Sequence, residues 1–282
     1  AQGNTQIEMM ADIMCKFEKE LLNLNPDFVL VPGDVNSSLA CAIVASRNGF
    51  KVGHIESGLR SFDRDMPEEI NRLITDSISD FLYVSEPSGM SHLRNEGVDE
   101  QRMLFVGNVM IDSLRQFEQA ARDTAFHETM GLTAKSYFLI TAHRPALVDD
   151  DANLNTFALA LLNLAEMGPV VFPIHPRTAL RLDGIASGRT LKAHPAIHLT
   201  EPIGYLEFMC LMMHSGLIVT DSGGIQEEST ALGVPCATVR PNTERPITID
   251  EGTNELMSLD VDLITDAGRR AISGTWKQGQ VP

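Results

Sequence analysis

A glycine turn between an apolar run and a helix-compatible segment is the strongest candidate for chemistry in this sequence. Residues 217–220 read as a short buried strand, residues 221–224 (Asp-Ser-Gly-Gly) break it, and residues 225–232 favour a helix. Glycines at such a turn let the backbone approach a ligand, and the first N–H groups and positive dipole end of the helix favour a phosphate. The pattern predicts a diphosphate cradle, although simple helix capping explains it too. The cradle residues are Ser222, Gly223 and Gly224.

Two carboxylates in the first turn of the same helix offer a second ligand group. Glu227 and Glu228 suit the positive dipole end of the helix. A carboxylate in this place also accepts hydrogen bonds from a ribose diol, as acids do in nucleotide-binding folds. A nucleotide sugar satisfies both halves of the pattern, so the sequence predicts that class of ligand.

Acidic residues also follow the first two predicted strands. Asp34 and Glu56 each come directly after an apolar run, at the strand ends where open α/β sheets place their ligands. Glu68 and Glu69 lie in the first turn of a later helix. Carboxylates that share one cleft raise one another's pKa and serve as acid and base near neutral pH. Helix capping by Asp34 and a dipole role for one of the glutamates are the structural alternatives.

Basic residues occupy the corresponding positions in the second half of the chain. His143 and Arg144 follow the strand predicted at residues 137–141. A titratable imidazole beside a fixed cation suits proton transfer and phosphate binding. His175 follows the next predicted strand, where a packed histidine is an equally good explanation.

Two further side chains are candidates for contact with a nucleotide. Arg245 lies in the loop after the strand predicted at residues 236–239, where it suits a phosphate or ribose contact or is an ordinary surface arginine. Phe208 lies near the start of a helix, and such an aromatic either packs in the core or stacks on a base.

The alternation of short apolar runs with helical patterns predicts how these residues are positioned. Two successive α/β halves, each with polar residues at its strand ends, imply two Rossmann-like domains of parallel sheet facing each other across a cleft. The boundary falls near residues 131–136, which gives domains of residues 1–130 and 131–282. The last residues are placed so that they can pack back on the first domain.

Composition narrows the class of protein. A chain of 282 residues is long enough for two cores. Its net charge of −16 argues against nucleic acid or an anionic membrane as main partners, since both would be repelled. The spacing of Cys15, Cys41, Cys210 and Cys236 fits reduced thiols in a cytoplasmic protein rather than a disulfide framework or zinc site. The sequence contains no signal peptide and no apolar run near bilayer length.

Motifs throughout the chain, taken together, are those of a known family. In order they are Gly33-Asp34, Val52-Gly53-His54-Ile55-Glu56-Ser57-Gly58-Leu59-Arg60, Met66-Pro67-Glu68-Glu69-Ile70-Asn71-Arg72, Gly107-Asn108, Thr141-Ala142-His143-Arg144, Thr220-Asp221-Ser222-Gly223-Gly224-Ile225-Gln226-Glu227-Glu228 and Thr243-Glu244-Arg245-Pro246. They closely resemble the motifs of the non-hydrolysing UDP-N-acetylglucosamine 2-epimerases.

The resemblance implies a GT-B architecture and interconversion of UDP-N-acetylglucosamine and UDP-N-acetylmannosamine for polysaccharide biosynthesis. In that family UDP is eliminated across C1–C2 to leave a 2-acetamidoglucal, and UDP re-adds after proton return on the opposite face. One of the family's carboxylates removes the C2 proton. The implied acids and base are Asp34, Glu56, Glu69 and His143. The implied substrate contacts are Phe208 on uracil, Ser222 to Gly224 on the diphosphate, Glu228 on the ribose, and Arg245 on the phosphates or ribose.

The sequence departs from the family pattern at its start. The family begins with a strand and a Gly-Thr-Arg-Pro-Glu loop that nothing here matches, and the first residue is Ala. We therefore expect a copy truncated at its N-terminus and shortened at its C-terminus, with an exposed sheet edge. The full protein is expected to be a homodimer.

Other functions fit parts of the same pattern. A hydrolysing 2-epimerase, a 2-epimerase of diacetamido UDP-sugars, and a UDP-sugar-binding module without catalysis are the alternatives. A GT-B glycosyltransferase fits less well because the acid cluster has no evident use there. No NAD fingerprint and no Asp-x-Asp pair near the proposed diphosphate site are present, so the sequence predicts neither cofactor nor metal.

Overall fold

The computed structural model describes residues 5–281 and has the α/β, GT-B-like architecture that the sequence predicts. Its strands lie in two parallel sheets with flanking helices. The chain divides into two compact units, the first ending at Val109 and the second beginning at Met110.

The first unit alternates helices and strands from its first described residues. The elements are α1 (Gln6–Leu24), β1 (Phe28–Pro32), α2 (Asn36–Arg47), β2 (Lys51–Ser57), α3 (Pro67–Ile78), β3 (Phe81–Val84), α4 (Pro87–Asn95), a 3-10 turn (Glu100–Arg102) and β4 (Met103–Phe105). Thr5 and Glu8 form a capping box at the start of α1, while Pro67 occupies the first turn of α3. The described strands of this unit pair in the order β1-β2-β3-β4, all parallel.

The second unit has a larger sheet and more helices. The elements are α5 (Val109–Asp123), α6 (Phe126–Thr129), β5 (Phe138–Thr141), α7 (Pro145–Val148), α8 (Asp151–Ala165), β6 (Val170–Pro173), α9 (Pro176–Gly184), α10 (Ala186–Ala193), β7 (Ile197–Thr200), α11 (Tyr205–His214), β8 (Leu217–Thr220), α12 (Gly223–Ala231), β9 (Cys236–Val239), α13 (Ile247–Asp250), β10 (Asn254–Met257) and α14 (Val261–Ile272). The described strands lie in the order β10-β9-β8-β5-β6-β7 and are parallel, so β5 and β8 are central neighbours.

Side chains alternate between the two faces of the second sheet, and helices cover both faces, so both are buried. On β5, Phe138 and Ile140 pack in one hydrophobic core and Leu139 packs in the other. The same alternation on β8 separates Leu217 from Ile218. These runs are apolar at consecutive positions for that reason, and the sequence predictions of β5 and β8 are confirmed.

The sequence-defined boundary falls inside the second unit. Residue 131, where the sequence analysis begins its second domain, follows α6 in that unit. Near the C-terminus, Trp276 packs in the core of the second unit and Gln280 N donates a hydrogen bond to Glu251 O. None of the described helices combines the length and apolar character needed to cross a bilayer.

Candidate active site

In the first unit, a buried arginine holds two of the predicted catalytic carboxylates. Asp34 follows β1, and Arg72 of α3 donates from Nη1 to Asp34 Oδ2 at 2.5 Å. Arg72 Nη2 donates to Glu69 Oε2 at 2.8 Å. Arg72 is only 1% exposed. A guanidinium presents its donors in a fixed fork, so this single side chain sets the separation of Asp34 and Glu69.

Glu69 is bound from several sides. Its carboxylate accepts hydrogen bonds from the backbone N–H groups of Ser61 and Phe62 at 2.9 and 3.0 Å, and from the Ser61 hydroxyl at 3.0 Å. Burial acts to raise the pKa of Glu69, but the Ser61 hydrogen bonds and Arg72 outweigh burial and lower it. Glu69 is therefore a fixed anion that anchors residues 61–62. Its predicted role as an acid or base stays a prediction.

Glu56 has a strained backbone at the end of β2. Its φ is +65°, a left-handed conformation that costs a residue with a side chain roughly 1–3 kcal/mol. The pairing of β2 with β3 shifts register between Ile55 and Ser57. Such a bulge redirects a side chain relative to the regular alternation of a strand. Backbone strain of this kind clusters at functional sites, which supports the predicted functional role of Glu56.

A buried network, which the sequence analysis did not identify as a site, holds the loops that carry Asp34 and Glu56. His54 Nδ1 lies 2.6 Å from Asp76 Oδ1, and His54 Nε2 lies 2.9 Å from Gly33 O. Asp76 also accepts from Gly58 N at 3.1 Å and pairs with Arg60 at 2.7 Å.

The charge state of Asp76 follows from these contacts. Burial acts to raise the pKa of Asp76, but His54 and Arg60 outweigh burial and lower it. His54 lies inside β2 and Asp76 inside α3, and a histidine within a strand was the available signal.

In the second unit, β5 and β8 end side by side and bring together groups far apart in sequence. His143 Nδ1 lies 2.9 Å from Asp221 Oδ1. Asp221 Oδ2 accepts from the backbone N–H groups of His143 and Arg144 at 2.9 and 2.8 Å. Arg144 Nε donates to Asp221 O at 2.9 Å. Asp221 is 1% exposed, whereas 60% of the His143 side chain is accessible.

This contact determines the charge of Asp221 and orients the His143 ring. Burial acts to raise the pKa of Asp221, but the His143 ring and the two backbone N–H groups outweigh it and lower the pKa. A carboxylate at Nδ1 favours the tautomer with its proton there, which leaves Nε2 as the basic nitrogen. The sequence analysis selected His143 and missed Asp221, although Asp221 lies in its own glycine motif.

The predicted cradle residues lie at the start of α12, where Ser222 is the N-cap residue. A Cβ on Gly223 would lie 2.7 Å from Glu244 Oε1 and 2.8 Å from Arg245 Nη1. Glycine therefore allows the α12 backbone to lie close to this ion pair, whereas a Cβ here would displace the ends of both side chains. On Gly224 a Cβ would lie 3.0 Å from Met110 Cε.

Arg245 lies in an acidic setting and is 6% exposed. Its Nε lies 2.6 Å from Glu227 Oε2 and its Nη1 lies 2.6 Å from Glu244 Oε1. Glu244 also pairs with Arg240 at 2.8 Å. Burial acts to raise the pKa of Glu244, but Arg245 and Arg240 lower it to about 2. These ion pairs thus hold Arg245 in place beside the start of α12, and it is not an exposed surface arginine.

Two of the predicted contacts have local structural roles. His175 is exposed, and its Nδ1 accepts from Arg177 N at 3.2 Å as the N-cap of α9, so it is not a packed core histidine. Phe208 is partly buried against the hydrophobic core beneath α11. Neither position excludes a ligand contact, and both assignments stay predictions.

Comparison with known proteins agrees with these features. The family model described as UDP-N-acetylglucosamine 2-epimerase matches residues 1–281. The chain belongs to this family. The match extends over both units, so it includes the carboxylates that Arg72 binds in the first unit and the α12 turn in the second.

Relatives and solved structures give the same result for this family member. A UDP-N-acetylglucosamine 2-epimerase of Methanococcus maripaludis is 41% identical over 257 residues, which are 89% of this chain and 70% of that protein. A UDP-2,3-diacetamido-2,3-dideoxy-D-glucuronate 2-epimerase of Pseudomonas aeruginosa is 37% identical over 97% of this chain and 75% of that protein.

A crystal structure of the Methanocaldococcus jannaschii UDP-GlcNAc 2-epimerase in complex with UDP-GlcNAc and UDP superposes with a TM-score of 0.88. It is 37% identical in sequence, and the match covers 99% of this chain and 80% of that one. The GT-B-like fold expected from the resemblance is confirmed.

Glu228 of this family member is a buried acid whose charge changes near neutral pH. Burial raises its pKa to about 7, and the nearby Glu227 charge adds to this, against a hydrogen bond from Tyr205. Tyr205 OH lies 3.3 Å from Glu228 Oε1. At neutral pH this carboxyl group is close to half protonated, so it can both donate and accept hydrogen bonds.

A stability experiment tests this protonation. The folded pKa of Glu228, about 7, exceeds the ordinary value of 4.5, so folding takes up a proton between these pH values. This contribution to stability is complete below pH 4.5 and is lost as pH rises through 7. Glu228→Gln should remove the loss, and its free energy of unfolding relative to the unmodified protein should rise by about 3 kcal/mol across that window.

Urea unfolding at several pH values between 4 and 8 measures the effect. Glu201→Gln, at an exposed loop position, is the matched control and should leave the pH dependence unchanged. Equal pH slopes for Glu228→Gln and the unmodified protein would show that Glu228 titrates normally.

Proposed function

We propose that this chain interconverts UDP-N-acetylglucosamine and UDP-N-acetylmannosamine by eliminating UDP to a 2-acetamidoglucal and re-adding it. The observation that carries the proposal is the family match over residues 1–281. The similarity to a structure in complex with UDP-GlcNAc and UDP supports it. Such an enzyme is an isomerase and needs no net redox change.

We assign the sugar chemistry to the carboxylates of the first unit and to His143. The C2 proton is poorly acidic, so a carboxylate must meet it as the C1–O bond breaks and positive charge develops on the ring. The strained Glu56 and the Arg72-bound Asp34 are the carboxylates best suited to this step, because Glu69 is engaged in anchoring residues 61–62. The His143 ring, oriented by Asp221, offers Nε2 as a further site for proton transfer.

We assign UDP binding to the second unit. The N–H groups at the start of α12 and the Arg245 guanidinium stabilise the diphosphate, which gains negative charge as it departs. Arg144 and His175, which follow β5 and β6, add contacts to the phosphates. Glu228 binds the ribose diol, and Phe208 stacks on uracil. The ion pairs of Arg245 with Glu227 and Glu244 support this assignment because they fix the position of its guanidinium.

We also propose that the protein is a cytoplasmic homodimer. The presence of all four cysteines as free thiols supports a reducing compartment. The mass in solution, measured by analytical ultracentrifugation, decides between monomer and dimer.

The experiment that tests the reaction uses UDP-N-acetylglucosamine in deuterated water, followed by NMR. Deuterium at C2 together with UDP-N-acetylmannosamine is the expected result. Free N-acetylmannosamine with stoichiometric UDP would instead show the hydrolysing reaction. Tight UDP binding without exchange would overturn the proposal for this substrate, and a diacetamido UDP-sugar would be assayed next.

A single methyl group at the α12 turn tests the diphosphate assignment. Gly223→Ala places a Cβ at 2.7 Å from Glu244 and 2.8 Å from Arg245, so the ion pair must shift. We expect UDP affinity to fall about 10-fold to 100-fold, since the buried Arg245 guanidinium is displaced from its position. Isothermal titration with UDP measures the change.

The matched control is Gly184→Ala. Nothing lies within 4 Å of a Cβ at Gly184, which is the last residue of α9. This variant should bind UDP like the unmodified protein. Unchanged UDP affinity in Gly223→Ala would mean that the α12 turn does not bind the diphosphate.

A further inference from the structure

Three metal-binding side chains of the second unit meet between α6 and α11. They are His127 of α6 with Cys210 and His214 of α11, and one ligand atom from each lies within 4.8 Å of the others. Cys210 is fully buried, His127 is 7% exposed, and His214 is partly buried. None of these residues takes part in the site described above.

The distances within this cluster match those of a tetrahedral metal site. Cys210 Sγ lies 3.5 Å from His127 Nδ1 and 3.8 Å from His214 Nδ1. Zinc binds sulfur at about 2.3 Å and imidazole nitrogen at about 2.0–2.1 Å, so tetrahedral coordination separates S from N by about 3.5 Å. The two S–N separations therefore suit one tetrahedral ion.

The two imidazole rings lie face to face in this cluster. Their rings stack with centroids 3.9 Å apart and planes 7° from parallel. A metal ion lies in the plane of each imidazole that binds it, so one ring must rotate out of the stack for both to bind the same ion. Metal ions bind neutral imidazole and thiolate, the softer partners that zinc prefers.

We propose that His127, Cys210 and His214 form a binding site for a thiophilic divalent metal ion, Zn²⁺. Cys210 and His214 are four residues apart on one face of α11, the spacing that lets a helix offer two ligands to one ion. His127 is the third ligand and ties α6 to α11. The partial exposure of His214 leaves room for water as a fourth ligand.

Binding changes the protons of the site in a defined way. The Cys210 thiol loses its proton to solvent and binds as the thiolate. His214 Nδ1 now lies 2.8 Å from Cys210 O, so coordination through Nδ1 exchanges that hydrogen bond for a metal bond and leaves the ring proton on Nε2. No oxidant or reductant is needed.

The test uses the full chain without a histidine tag, freed of metal by a chelator. Equilibrium dialysis should give one Zn²⁺ bound per chain. Co²⁺ in place of zinc should produce the intense visible bands of tetrahedral coordination and a near-ultraviolet thiolate-to-cobalt band. The melting temperature should rise by several degrees with Zn²⁺, because an ion that binds only the folded state stabilises it.

Variants locate the ion. Cys210→Ser should abolish the thiolate-to-cobalt band and weaken Zn²⁺ binding at least 10-fold, and His127→Gln should weaken binding similarly. Cys236→Ser is the matched control, because Cys236 is an equally buried free thiol that lies beside a hydroxyl group, Thr238 Oγ1 at 3.9 Å. It should bind as the unmodified protein does.

Two results would overturn the proposal. One is the absence of a thiolate-to-cobalt band in the unmodified protein, a readout that does not depend on any variant folding. The other is Zn²⁺ binding that persists unchanged in Cys210→Ser, since another group would then hold the ion. In either case the cluster is a buried thiol–imidazole hydrogen-bond network only.

Discussion

Asp221→Asn is expected to lower kcat of the proposed epimerase by roughly 10³-fold to 10⁴-fold, the size of effect known for a buried Asp that orients a catalytic imidazole. The amide oxygen of Asn can still accept from His143 N and Arg144 N, which now donate to Asp221 Oδ2 at 2.9 and 2.8 Å. The amide NH₂ then faces His143 Nδ1, so the ring proton moves to Nε2. The basic nitrogen of His143 is thereby placed on the wrong side of the ring.

UDP affinity separates this effect from a merely structural one. UDP affinity should stay within about threefold, since the α12 turn keeps its contacts. Asp262→Asn, at an exposed position of α14, is the control. A kcat within threefold of the unmodified protein would contradict the assigned role of Asp221.

Arg72→Met is expected to be the most destabilising of the changes considered. It leaves Glu69 as an unpaired carboxylate that is 2% exposed, and removal of one partner of a buried ion pair costs about 3–5 kcal/mol. Activity should fall as well, because Asp34 and residues 61–62 lose the side chain that spaces them. Urea unfolding and steady-state kinetics measure the two effects.

Two companion variants make this prediction specific. Arg72→Lys keeps the charge but cannot reach both carboxylates in fork geometry, so it should recover stability better than it recovers kcat. Adding Glu69→Gln to Arg72→Met should restore part of the stability, since it removes the unpaired charge. Arg64→Met, at an exposed position in the loop that precedes α3, should have little effect. Equal stability of Arg72→Met and the unmodified protein would contradict the role of this ion pair.

Much of the fold was predictable because local signals agreed with one another. The apolar runs of β1, β5 and β8 are strands in the structure. The helix predicted at residues 225–232 is present as α12, but it begins earlier, at Gly223. The elements that were not predicted include α4, α10, β10 and α14. β10, for example, has the sequence Asn-Glu-Leu-Met, which lacks the continuous apolar run of the earlier strands.

Candidate site residues were predictable where a residue type occurs at a strand end. Asp34 and His143 follow strands in the structure as expected, whereas Glu56 lies within the last residues of β2. The groups that position them were not predicted, because Arg72 reaches Asp34 over 38 residues and Asp221 reaches the His143 backbone over 78. Such pairs depend on which strands are neighbours.

The sequence by itself determined the class of elements, the family pattern and the residue types available for chemistry, since periodicity and turn residues act over a few positions. Only the tertiary structure decided which of these side chains share a proton or a charge. Sheet order placed β8 beside β5 and so put Asp221 under His143, and helix packing brought His127 to Cys210 across 83 residues. Burial then determined the charges, because desolvation raised the pKa of Glu228 to about 7 whereas Arg245 and Arg240 lowered that of Glu244 to about 2.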